Sequence, residues 1–171
     1  MGYTTYFNQK TWTKKDKDGW EKALPIVKKI LAKYSEILCF ESDEPNKKPV
    51  ANQETIRFNG IGDDGHETFY IGNEKNEFAF CKTARKPYDI AVCEISLILK
   101  AFCPNFDLSS DGFSGYVEHQ KDGVQLDGFW NDAIQNVKEY DVNFHGEIEG
   151  THGGRDGNPD PYCSFLVVLD K

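Results

Sequence analysis

Apolar and polar positions along this chain change their period several times, and each change marks an element. Over residues 78–102 (FAFCKTARKPYDIAVCEISLILKAF) an aromatic and apolar run, 78–83, precedes a polar turn at Ala84, Arg85 and Lys86. Pro87 stands where a helix begins, and Ile90, Ala91, Val92, Cys93, Ile95, Leu97, Ile98, Leu99, Ala101 and Phe102 then follow in close order. At 100° per residue, Asp89, Ser96 and Lys100 share one narrow stripe with Cys93 beside it. A helix apolar around most of its circumference needs cover on most sides. Residues 89–102 are therefore expected as the central buried helix, and 78–83 as a short buried strand.

Earlier in the chain, residues 3–7 are aromatic and β-branched, as an opening strand would be. Residues 14–19 read as a charged turn, with Asp18 as N-cap of a helix reaching about Tyr34. Its apolar face is Trp20, Leu24, Val27, Ile30, Leu31 and Tyr34, and Pro25 predicts a kink or a later start near Leu24. Strands are expected at 37–41, 54–59 and 67–71, with 42–53 as a surface loop and 60–66 as a long hairpin turn. Ile56 and Phe58 fall on one face, and Phe69 and Ile71 on the matching one.

Pro104 ends the central helix. Further strands are expected at 106–109, 116–119, 142–148 and 162–169, the last nearly all apolar and central in its sheet. A third helix is expected over 127–140, and turns at Ser110-Asp111-Gly112 and Lys121-Asp122-Gly123. Residues 150–161 (GTHGGRDGNPDP) read as a long loop that brings His152, Arg155, Asp156 and Asp160 to a ligand or partner, or is simply a flexible connection. Strand runs broken by three irregularly spaced helices predict an α+β fold: a mostly antiparallel sheet around the central helix, in one globular domain over residues 1–171.

Composition narrows the function. No run approaches the ~20 apolar residues that span a bilayer, and the first residues lack a charged-then-apolar leader, so a cytoplasmic protein without membrane partners is expected. The five cysteines, at 39, 81, 93, 103 and 163, are odd in number and form no CxxC pair. They are expected to be reduced, with no metal site and no cofactor. A net charge of −8 argues against general nucleic-acid binding, which rests on phosphate neutralisation.

Three blocks carry a resemblance. They are Ile56-Arg57-Phe58-Asn59-Gly60 with His66-Glu67-Thr68-Phe69, then Phe80-Cys81-Lys82-Thr83 with Pro87-Tyr88-Asp89, then Ser110-Asp111-Gly112. On these, and on its Met-Gly-Tyr-Thr opening, the chain resembles a group of uncharacterised small proteins of bacteriophages, prophages and some bacteria. The resemblance implies a phage-type origin and the cytoplasm of a bacterial host. It brings no established activity.

Candidate chemistry concentrates at the turn before the central helix. Lys82, Thr83, Arg85 and Tyr88 are the candidate ligand-binding residues: cations and a hydroxyl beside a helix N-terminus suit a phosphate or carboxylate. The same residues also serve plain architecture if Lys82 and Arg85 pair with Asp89 or Asp111. His66, Asp89 and Asp111 are the candidate catalytic groups, an acid and base set if the fold gathers them. The leading expectation is a phage-type accessory protein that binds a host protein or a small phosphorylated ligand, as counter-defence or host modulation. The alternative is a small hydrolase or transferase acting on a phosphorylated substrate.

Overall fold

The computed structural model describes residues 3–116, 124, 126–153 and 159–171; for 115–116, 151–153 and 159–163 it describes the backbone alone. The fold is α+β, and every strand pairing among the described residues is antiparallel. The strands form three sheets rather than one. The first has the order β6 (Asn76–Lys82), β1 (Thr4–Gln9), β7 (Asp107–Ser110). In the second, β4 (Thr55–Gly60) pairs with β2 (Leu38–Cys39), β3 (Val50–Ala51) and β5 (Phe69–Gly72). The third has the order β8 (Ser114–Tyr116), β10 (Pro159–Leu169), β9 (Phe144–Gly153), which puts the apolar last strand in the centre.

Helix α1 (Lys14–Lys33) has its N-cap at Thr13, five residues before the expected cap at Asp18. The Asp16 carboxylate accepts the Thr13 N–H at 2.7 Å and the Thr13 hydroxyl at 2.8 Å, so the charged run is the first turn of the helix. Asp16 also accepts the Asn105 backbone and side-chain N–H groups, each at 2.8 Å, tying α1 to the segment after α2 (Asp89–Phe102). Burial alone would raise the Asp16 carboxyl, but these bonds outweigh it and hold it below its ordinary range. The helix runs continuously through Pro25. Gly19 is no turn residue: a Cβ there would sit 1.9 Å from the Phe102 carbonyl oxygen, so its absence sets the approach of α1 to α2.

Helix α2 lies at the centre, packed against α1 and α3 (Trp130–Asn136). Every residue from Asp89 to Leu99 is buried, Asp89 and Ser96 of the polar stripe included, while Lys100 is half-buried. Glu94 is fully enclosed where the three helices meet. Its Oε1 accepts the Tyr34 hydroxyl at 2.5 Å and Asn136 Nδ2 at 2.7 Å, with Lys33 Nζ at 3.4 Å. Two neighbours on the second sheet complete the core as expected: Ile56 pairs with Ile71 and Phe58 with Phe69, all buried. Cys39, Cys81, Cys93 and Cys103 are buried free thiols; the Cys163 side chain lies outside the described residues.

Strand β6 departs from expectation. Phe78 is 59% and Phe80 52% exposed, while Cys81 and, in part, Ala79 face inward. The strand is the edge of an open three-stranded sheet, so only alternate side chains reach the helices. A run apolar on both faces imitates a buried strand, but here one face has no cover. The expected loop at 150–161 is also mostly strand: β9 continues to Gly153 and β10 begins at Pro159, with Gly153 paired to Pro159. Arg155 and Asp156, the turn at 121–123 and all but Tyr116 of the strand expected at 116–119 lie outside the described residues.

Candidate functional site

The turn before α2 is built on the backbone of Tyr3. The Tyr3 carbonyl accepts the Thr83 N–H at 3.0 Å and the Ala84 N–H at 3.3 Å, and Lys86 N–H closes the turn onto the Thr83 carbonyl at 3.0 Å. Ala84 and Arg85 both adopt left-handed conformations, φ 51° and 56°, in a turn that ordinarily selects glycine or asparagine. Each such residue costs roughly 1 kcal/mol, which the surroundings must offset. Arg85 does so in part, lying 4.6 Å over the Tyr3 ring and pairing with Asp127. Lys86 Nζ donates to the Asp63 carbonyl at 2.8 Å on the hairpin tip.

Beneath the turn the side chains are closed in. Thr83, Tyr88 and Asp89 are buried, and the Tyr88 hydroxyl donates to the Glu67 carbonyl at 2.6 Å. Neither Asp89 oxygen nor the Thr83 hydroxyl has a hydrogen-bond partner among the described residues. Burial pushes the Asp89 carboxyl up to about 6, against the opposing influence of Thr83, Arg85 and Cys93, none of which completes a hydrogen bond to it. The first amides of α2 are largely used as well. Asp89 N–H donates to the Lys86 carbonyl at 2.9 Å, and the Ala91 and Val92 N–H groups donate to the Tyr88 carbonyl at 3.0 and 3.3 Å.

The three candidate catalytic groups stand apart: no hydrogen bond or ion pair joins any two of His66, Asp89 and Asp111. His66 is exposed, and its backbone is bracketed by Asn59, which accepts its N–H at 3.1 Å and donates to its carbonyl at 2.9 Å. Asp111 accepts the Thr4 N–H at 2.9 Å and the Tyr6 hydroxyl at 3.3 Å. The Ser110-Asp111-Gly112 block has a packing reason that the sequence does not reveal. Ser110 Oγ accepts Trp130 Nε1 at 3.1 Å, and a Cβ on Gly112 would lie 2.2 Å from the Tyr3 hydroxyl oxygen. Lys82 is different. Its backbone N–H donates to Glu67 Oε2 at 2.7 Å, but its ammonium has no partner among the described residues.

A second surface, which the sequence pattern hid, forms on the outer face of the first sheet. Register places Tyr6 opposite Phe80 and Ser109, and puts Lys82 and Asp107 on the same face opposite Thr4 and Asn8. The rings form a continuous strip: Tyr6 and Phe78 stack with centroids 6.1 Å apart, and Phe78 and Phe80 lie 5.8 Å apart. Exposed aspartates flank it, at Asp107 and Asp111. The only signal for this in the sequence is the alternation of Phe78 and Phe80 with Glu77 and Ala79, which fits a two-sided strand as well as a buried one. Comparisons of the chain with protein-family models, curated proteins and solved structures find no match.

Proposed function

We propose that the chain is a phage-type accessory protein that acts by binding a host protein, as host modulation or counter-defence in the bacterial cytoplasm, rather than by turnover. The observation that carries this reading is the exposed strip Tyr6, Phe78 and Phe80 on an edge sheet. Aromatic side chains held outward on a rigid strand lose little conformational freedom on contact and bring large apolar area to an interface. Leaving more than half of each phenylalanine in water brings the fold little burial energy, so a partner that covers them is the economical explanation.

Two other arms of the expectation draw less support. A small phosphorylated ligand at Lys82, Thr83, Arg85 and Tyr88 would need Thr83 and Tyr88 out of the interior and Arg85 away from Asp127. Hydrolysis or transfer by His66, Asp89 and Asp111 would need groups that share no contact to converge.

Photo-crosslinking tests the binding reading. A benzoylphenylalanine at position 80, in cells of a bacterial host producing the chain, should capture one protein that the same probe at Lys29 on α1 does not. That protein, purified, should bind the wild-type chain and bind the Phe78→Ser/Phe80→Ser variant roughly tenfold or more weakly. Equal binding by the two chains, or capture that is the same from both positions, overturns it.

A further inference from the structure

The outer face of the first sheet also contains a hollow of about 200 Å³, lined by Tyr6, Phe7, Asn8 and Phe78 and by Asp107, Leu108 and Ser109 of the neighbouring strand. It spans the three strands, with Phe78 on β6 and Asp107 on β7 flanking β1. Its chemistry is unequal. Two stacked rings offer π-faces, and Asp107 brings a carboxylate with neither ion pair nor hydrogen bond among the described residues. Asn8 Oδ1 already accepts the Lys10 N–H at 2.8 Å, which leaves its amide N–H₂ and the Ser109 hydroxyl as the neutral polar groups at the rim.

Charge decides what such a hollow accepts. Asp111 stands at the Tyr6 hydroxyl, 3.3 Å away, so a second carboxylate deepens the negative potential over that ring. Lys10 follows Asn8 at one end of the face and Lys82 stands opposite Thr4 at the other, and among the described residues neither pairs with Asp107. An anion entering the hollow would meet the Asp107 carboxylate, which no ion pair among the described residues neutralises. A purely apolar group would strip water from Asp107 and leave it unpaired, at a cost. A cation satisfies both walls at once, through the ring faces and the carboxylate. Among cations, a guanidinium is flat and weakly hydrated, stacks on aromatic rings and meets a carboxylate with two parallel hydrogen bonds. An ammonium does none of these as well.

We infer that the hollow between Tyr6, Phe78 and Asp107 is a pocket for an arginine side chain presented by the protein partner. This rests on the reading of the outer face as a docking surface, and it assigns that surface its specificity. The aromatic strip supplies contact area, and the arginine pocket selects which protein sits on it. The chain's charge of −8 favours encounter with such a cationic patch.

The test uses the full-length ¹⁵N-labelled chain and three probes: Nα-acetyl-arginine amide, its neutral citrulline isostere and its lysine counterpart. The arginine probe should shift the amides of Tyr6, Asn8, Phe78 and Asp107 saturably, and bind roughly tenfold tighter than citrulline. Asp107→Asn should weaken it roughly fivefold or more while the rest of the spectrum keeps its dispersion, and added salt should weaken it further. No saturable shift, equal binding of citrulline, or indifference to Asp107→Asn overturns the proposal, and a lysine probe that binds as well overturns the choice of arginine. The two readings fail separately. If Phe80 still captures a partner whose binding ignores Asp107→Asn, the face docks a protein without an arginine pocket. If the arginine probe binds but no partner is captured at Phe80, the pocket stands and the docking reading falls.

Discussion

Helix α2 and strand β6 adjoin in sequence, both read as apolar, and meet opposite fates. In α2 even Asp89, Glu94 and Ser96 are sealed from water. In β6 the two largest apolar side chains point outward. The difference lies in what each element is packed between. The helix is enclosed on successive sides by α1, α3 and strands, whereas β6 closes the end of a three-stranded sheet with one face against the core. Buried polarity in α2 is therefore a feature the fold must sustain, and exposed apolarity in β6 is a feature it can do without.

The sharpest way to break the comparison is truncation on both sides of it. Leu97→Ala or Ile98→Ala should lower the stability of the fold by about 2–5 kcal/mol in urea unfolding, since each leaves a cavity among rigid neighbours. A loss below about 1 kcal/mol for both would mean that α2 is not the packing centre.

Asp16 tests the junction that holds α2 between its neighbours. Asp16→Ala removes one half of the α1 capping box and deprives the half-buried Asn105 N–H groups of their acceptor, so a loss of about 1–3 kcal/mol is expected. Lowering the pH should remove part of the same stability. The folded-state pKa of Asp16 is depressed, so its contribution is complete above the ordinary aspartate pKa and disappears as pH falls through the lower folded value. A variant that melts with the wild type at neutral pH would refute this.

Asp89 should behave in the opposite sense. Its folded pKa is raised from 3.8 to about 6, so the stability of the protonated form is fully present below 3.8 and is lost as pH rises through about 6. The difference corresponds to about 3 kcal/mol at most. Asp89→Asn should be more stable than wild type at pH 7 by about 1–3 kcal/mol and should flatten the dependence between pH 4 and 7. Thermal melts across that range decide it. If the variant is destabilised at every pH, the carboxylate has a compensating partner.

The smallest effect belongs to the exposed strip. Phe78→Ser with Phe80→Ser should change stability by about 1 kcal/mol or less, because little area is removed from the interior. A loss of several kcal/mol would make the strip part of the core and take away the basis for docking.

Residue pattern alone reached the α+β class, the buried helix over 89–102, the pairing of Ile56 and Phe58 with Ile71 and Phe69, and the central place of the last strand. Periodicity reports which residues of an element avoid water, and those elements are covered where their pattern asks for cover. The Thr13–Asp16 pair that starts α1 is local and stands in the sequence, overshadowed by the charged run after it; only the bonds from Asn105 that hold Asp16 in the interior come from the tertiary fold. The surroundings of the candidate residues were equally out of reach. Whether Asp89 meets His66 or lies alone beneath Thr83, and whether Arg85 turns to Asp89 or to Asp127, depends on loops that the tertiary fold brings together. The side of β6 that faces water was likewise settled only by sheet order. A run apolar on both faces has no preferred inside, and its position at the edge of an open sheet supplied one.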